Sequence, residues 1–107
     1  MKVSNIDTMT KGWFIGNFSP SCLMTQAFEC ALKEYKLGER EKKHYHKIAT
    51  EFTVIVRGTA KMNGIEYSDG SIIEIAPLEA TDFEAVTDVI TMVVKVPAVI
   101  GDKYESK

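Results

Sequence analysis

Only two histidines occur in the chain, His44 and His46, and a single residue separates them. Alternate residues of a strand project from one face, so an extended backbone here aims both imidazoles into one space. Glu51 follows, and behind it a β-branched run, Thr53-Val54-Ile55-Val56, stops at Gly58. Two imidazoles and a carboxylate that converge on one point suit a divalent metal: imidazole matches Fe, Mn, Ni, Cu and Zn, and the carboxylate compensates charge. The competing reading makes both histidines ordinary strand residues, one or both of them facing solvent. With both histidines committed, no Ser-His-Asp or Cys-His arrangement can be argued, and no glycine-rich phosphate loop is present.

Those residues must be positioned by a small domain. The chain has 107 residues, 45% hydrophobic and 26% charged, which fits one globular domain and not a disordered segment. A domain of this size buries only about 60–70% of its unfolded surface, so a metal or a partner copy would supplement the core. Net charge is −2 with both signs interspersed, leaving no electrostatic footprint for nucleic acid or an anionic membrane. The first residues lack a continuous apolar stretch and no run approaches the roughly 20 residues of a membrane span. Cys22 and Cys30 are too few for a disulfide scaffold. They are expected to be reduced thiols in a cytoplasmic protein. Small size and apolar positions such as Trp13 and Phe52 lead to the expectation of a homodimer.

Taken in order, residues 1–11 read as a loosely held arm and residues 12–16 as a short glycine-bounded strand. Trp13 reads as a core or dimer-interface anchor more readily than as a ligand-stacking ring. From Ala27 the pattern alternates with period two, Phe28, Cys30 and Leu32 on one face, to Leu37-Gly38. The mixed charge run 39–43 reads as a solvated turn. The histidine strand follows, then a kink over residues 47–50 and a strand from Glu51 to Arg57. Thr53 and Ile55 share the face of Glu51 and would line the pocket beneath it, while Tyr45 points away from the histidines. Asn63-Gly64 is the strongest hairpin signal. Further strands are expected over residues 71–75, 83–86 and 89–96, with a polar tail from Ile100 to Lys107. Met24, Met62 and Met92 read as core filler. Eight to ten short strands with Gly, Asn and Asp turns, and no amphipathic helix, make an all-β sandwich or barrel.

Gly38-x5-His44-x-His46-x4-Glu51-x6-Gly58 resembles, at every position and spacing, the first conserved motif of the cupin superfamily. The segment HYHKIATEFTVIVRG is particularly similar to the germin version of it. The resemblance implies a double-stranded β-helix, a jelly-roll barrel over residues 27–97. An N-terminal arm and edge strand (1–26) would precede it and a C-terminal tail (98–107) follow it, all in one domain. It implies that His44, His46 and Glu51 bind a divalent ion (Fe, Mn, Zn or Ni) inside the barrel. The second motif departs from the family. Gly70-Ser71-Ile72-Ile73-Glu74-Ile75 fits its opening, but the position of a further histidine ligand holds Thr81 in strict register, or Asp82 with one inserted residue. Asp82 would make a two-histidine, two-carboxylate site, and Thr81 would leave a 2-His-1-carboxylate set with open positions. The implied function is a metal-binding cupin with a small acid or sugar-like ligand, either a metal-dependent dioxygenase or an isomerase. The alternative is a non-catalytic sensor or binding module whose metal is structural or absent.

Overall fold

A computed structural model describes residues 1–106; Lys107, the last residue of the expected tail, lies outside the described residues. After a one-turn 3-10 helix (Ile6–Thr8) come eleven strands: β1 (Trp13–Gly16), β2 (Leu23–Met24), β3 (Glu29–Tyr35), β4 (Arg40–Tyr45), β5 (Thr50–Arg57) and β6 (Thr59–Met62), then β7 (Ile65–Ser68), β8 (Ile72–Ile75), β9 (Thr81–Ala85), β10 (Val89–Val96) and β11 (Tyr104–Glu105). They form a six-stranded sheet, β2-β1-β3-β10-β5-β8, and a five-stranded sheet, β11-β4-β9-β6-β7. The two sheets form the double-stranded β-helix that the sequence predicts. No described helix is long and apolar enough to cross a membrane.

Side-chain alternation sorts the barrel into an apolar end and a polar end. Strand β5 turns Glu51, Thr53 and Ile55 inward, all buried, and leaves Phe52 and Val54 half-buried on the outer face. Antiparallel pairing with β10 sets Ile55 opposite Thr91, Thr53 opposite Val93 and Glu51 opposite Lys95. Directly opposed residues share a face. The interior therefore runs from isoleucine and valine at one end to glutamate and lysine at the other. Ile55, Val89, Phe83, Ala85, Ala60, Met62 and Ile75 form the apolar plug, with Tyr35 packed on it. Burying Ile55 and Val89 completely contributes about 1.5–3 kcal/mol each.

Gly58, where the β-branched run stops, has φ +98°, and a Cβ there would lie 2.2 Å from the Asp88 carbonyl oxygen. Only glycine fits this turn, which feeds β5 into β6.

Three expectations are corrected. Residues 39–43 are not a solvated turn: most of the charge run is the first half of β4, with Arg40 paired to Glu84 and Glu41 turned inside. Tail residues Tyr104 and Glu105 are a strand that pairs with Tyr45 and His44, and Tyr104 stacks on Tyr45 at 5.5 Å. Met24 is 64% exposed on the edge strand β2 and is no core filler, whereas Met62 is buried. Cys22 is exposed, Cys30 is buried, and both are free thiols.

Candidate metal centre

His44, His46 and Glu51 meet at the polar end of the barrel, with one ligand atom from each lying within 4.8 Å of the others. The two imidazoles are 5.4 Å apart between centroids and nearly perpendicular. His44 comes from the end of β4, His46 from the loop that follows, and Glu51 from the start of β5. One tight β4–β5 connection thus delivers all three.

Each histidine is held by its Nδ1. That of His44 lies 2.9 Å from the Lys42 carbonyl oxygen, and that of His46 bonds the Asp102 carbonyl oxygen. A carbonyl can only accept, so both Nδ1 atoms carry the proton and both Nε2 atoms present lone pairs. His46 is 3% exposed and its Nε2 has no hydrogen-bond partner. It lies 3.3 Å from Glu51 Oε1 without hydrogen-bond geometry. A lone pair and a carboxylate oxygen thus face each other in a buried place. Such an arrangement calls for a proton or a cation between them. The donor set fits a divalent transition metal.

Glu51 is prepared as an anion. Burial opposes its charge, yet the His46 ring when Nε2 carries a proton, the Lys95 ammonium and the Thr53 hydroxyl outweigh burial and hold its carboxyl below the ordinary range. Thr53 Oγ1 donates to Oε2 at 3.0 Å, which orients the other oxygen toward His46. For His44, burial disfavours the imidazolium and lowers its pKa below the usual value, so the ring stays neutral, as a ligand must.

Strand alternation separates the two candidates for a fourth position. On β9, Thr81, Phe83 and Ala85 are buried and Asp82 is not. Thr81 faces His44 across the β4–β9 pairing, the placement of the strict register. The Asp82 carboxylate is not brought to the cluster: its Oδ1 accepts the Asn63 backbone N–H at 2.7 Å. Asp82 instead caps the Asn63-Gly64 hairpin.

Two neighbours of the site escape sequence reasoning. Glu41 turns inward because β4 carries a register shift between Glu41 and His44: these residues, three apart, face Phe83 and Thr81, which are two apart. A bulge of this kind re-aims the side chains beyond it. Inside, Glu41 accepts a hydrogen bond from the Tyr35 hydroxyl and lies 3.9 Å from Lys33 Nζ. The second is Asp102, 6% exposed, whose carboxylate accepts the N–H groups of Lys47 at 2.8 Å, Ile48 at 3.1 Å and Ala49 at 2.9 Å. It clamps the loop that carries His46, and the Leu78 N–H donates to the His46 carbonyl at 2.6 Å. Nothing local in Gly101-Asp102-Lys103 signals that role.

A cavity of about 1130 Å³ opens beside the cluster, lined by His44, Glu51, Thr53, Thr91, Lys33 and Lys95 among others. Trp13 also lines it, because its strand partner, Ala31, lies on the inward face of β3.

No family model matches the sequence, and no curated protein matches it. Solved structures do. A conserved protein with a double-stranded β-helix domain from Klebsiella pneumoniae matches with a TM-score of 0.72 at 17% identity, covering 98% of this chain and 91% of that one. An RmlC-like cupin protein from Desulfovibrio desulfuricans matches with a TM-score of 0.62 at 23% identity, covering 70% of this chain and 76% of that one. The bacterial pirin YhhW from Escherichia coli, solved in complex with nickel(II), matches with a TM-score of 0.67 at 18% identity, covering 82% of this chain and 39% of that one. With its two sheets in this order and double-stranded β-helix barrels matching 70–98% of its length, the chain has the double-stranded β-helix fold of the cupins.

Proposed function

We propose that the chain binds one divalent transition-metal ion through Nε2 of His44, Nε2 of His46 and the carboxylate of Glu51. In this reading the cavity holds a small polar ligand against the remaining coordination positions. The unpartnered Nε2 of His46, buried against the Glu51 carboxylate, carries this reading. A three-residue set with open positions is the kind used by non-haem iron oxygenases, and Fe, Mn, Zn and Ni all suit its donors. The nickel(II) complex of the pirin YhhW shows that a structurally similar barrel takes such an ion. A metal held here supplies either a Lewis acid for isomerisation or a centre for oxygenation. The protein's own part is to orient the two rings through backbone carbonyls and to keep the site within a walled cavity.

The test is elemental analysis of protein purified without added metal and again after reloading. About one equivalent of a transition metal is expected, and less than about a tenth after reloading overturns the assignment. Protons compete for the same Nε2 lone pairs, so retention should fall with pH. Because burial already lowers the His44 pKa, release is expected below the free imidazole value of about 6.5. Retention unchanged from about pH 8 to 5 would argue against histidine ligation.

One observation favours a second reading, a non-catalytic binding module without metal. Lys95 sits directly opposite Glu51 and offsets its charge without any ion. Metal uptake without oxygen consumption or turnover on a panel of small acids favours a binding role with a structural metal; no uptake at all favours the lysine.

A homodimer through the outer face of the six-stranded sheet completes the proposal. Phe52 pairs with Val94 and Val54 with Met92 there, four apolar side chains that are half-buried in the single chain. Equilibrium sedimentation at micromolar concentration should return twice the chain mass; 12.0 kDa refutes the dimer.

A further inference from the structure

We infer that Lys33, Lys95 and the Trp13 indole form a carboxylate-binding subsite beside the metal centre, so that the cavity takes a small organic acid. This rests on the metal reading and names the ligand class for it.

Lys33 Nζ lies 5.1 Å from the centroid of the Trp13 ring and Lys95 Nζ lies 4.9 Å from it. Both ammonium groups are thus held over one indole, within about 10 Å of each other. The indole is also met edge-on by Phe18 at 6.4 Å, so it is engaged by cations and a phenyl edge. That leaves it poorly placed to stack on a sugar ring. It is well placed to steer two positive charges.

Strand register puts these lysines next to the metal ligands. Lys95 stands directly opposite Glu51 on β5 and opposite Glu29 on β3. Lys33 stands opposite Thr91. Thr91 is 1% exposed, lines the cavity and has no partner for its hydroxyl. A buried hydroxyl without a partner costs free energy unless something completes it, and a ligand carboxylate accepts from it.

The groups beside the cluster favour an acid over a neutral ligand. Lys33, Lys95 and Lys103 are among the basic residues that line the cavity, and Glu29, Glu41, Glu51 and Asp82 are among the acidic ones. Glu41 lies against Lys33 at 3.9 Å, so the lysines are not free of partners. A divalent ion on His44, His46 and Glu51 takes up the charge of Glu51, the carboxylate directly opposite Lys95, and a ligand carboxylate returns a counter-charge to that ammonium. Burial and the neighbouring Lys95 and Lys103 already lower the pKa of Lys33 against the pull of Glu41, which an added anion would relieve.

The experiment loads the protein with Zn(II) and titrates it with malonate. Binding is followed by calorimetry and by the fluorescence of Trp13, the single tryptophan of the chain. Saturable binding is expected, with the uncharged isostere malonamide at least about tenfold weaker. Lys95→Met and Lys33→Met should each weaken malonate at least about tenfold while zinc content stays that of the wild type. Lys33→Met also strips Glu41 of its cation, so Lys95→Met carries the test if the first variant fails to fold. Wild-type protein that holds no zinc removes the metal reading, and metal content reports this separately. Zinc retained with malonate binding unchanged in Lys95→Met overturns the subsite alone. Inorganic phosphate bound more tightly than malonate overturns the assignment to a carboxylate.

Discussion

His46→Ala is expected to lower affinity for the divalent ion by about 100-fold or more, measured by competition with a chromophoric chelator. Loss of a partner one shell out from a metal typically costs about 10–100-fold, so a direct ligand should reach at least the top of that range. His46 also lacks any compensating neighbour. Its Nε2 is buried without a hydrogen-bond partner among the described residues, and the carboxylate it meets is that of Glu51, itself in the cluster. Removing the ring leaves Glu51 buried and ionised with a cation set of one histidine. Glu51→Gln keeps the shape and removes the charge, and it should weaken the ion comparably. Asp82→Asn should leave metal content unchanged, because the Asp82 carboxylate caps Asn63 and does not reach the cluster. The circular dichroism of all three variants should remain that of an all-β protein. Wild-type metal content in His46→Ala, or loss of metal in Asp82→Asn, would sink the assignment.

The residues of the cluster were legible because they are local. His44 and His46 obey strand periodicity and Glu51 heads the next strand, so one short connection carries the whole set. Thr53 and Ile55 followed from the same alternation. What stayed hidden depends on partners distant in the chain. Period-two counting from His44 puts Lys42 and Arg40 inside; the register shift against β9 puts Glu41 there instead. The two-residue strands β2 and β11 have no periodicity of their own and exist because β1 and β4 offer them an edge. Trp13 read as an anchor for a core or an interface, and only its pairing with Ala31 shows that it faces the cavity. Thr81 and Asp82 differ in parity: Thr81 is buried on the side of Phe83 and Ala85, and Asp82 is not. A sequence states parity only once the register is known.

The second large effect is on stability and comes from the segment that read as a polar tail. Asp102→Ala leaves three backbone N–H groups, of Lys47, Ile48 and Ala49, without the acceptor they share. An unsatisfied buried donor costs about 1–3 kcal/mol; of the three bonds only that of Ala49 is buried, and water reaches the N–H groups of Lys47 and Ile48 more readily. A loss of about 2–4 kcal/mol is expected, a large share of the 5–15 kcal/mol that holds a domain together. For a chain of this size that lowers Tm by roughly 10–20 °C in calorimetry. Asp102→Asn keeps one carbonyl oxygen and should cost less. The pH dependence separates charge from shape. Burial raises the Asp102 pKa, but the three N–H donors, from Ala49, Lys47 and Ile48, outweigh it and hold it below the ordinary value. The folded state therefore binds this proton less tightly than the unfolded chain. Its contribution is fully present above the unfolded value of about 3.9 and disappears as pH falls through the lower folded value. Asp102→Asn should flatten the stability curve in that acid window and leave its slope at neutral pH alone. Melting of Asp102→Ala within about 2 °C of the wild type would show that water replaces the carboxylate at no cost. If the clamp does hold, the metal site depends on it twice. The Asp102 carboxylate fixes the loop after His46, and the Asp102 carbonyl fixes the His46 ring, so a residue that binds no metal sets the aim of one that does.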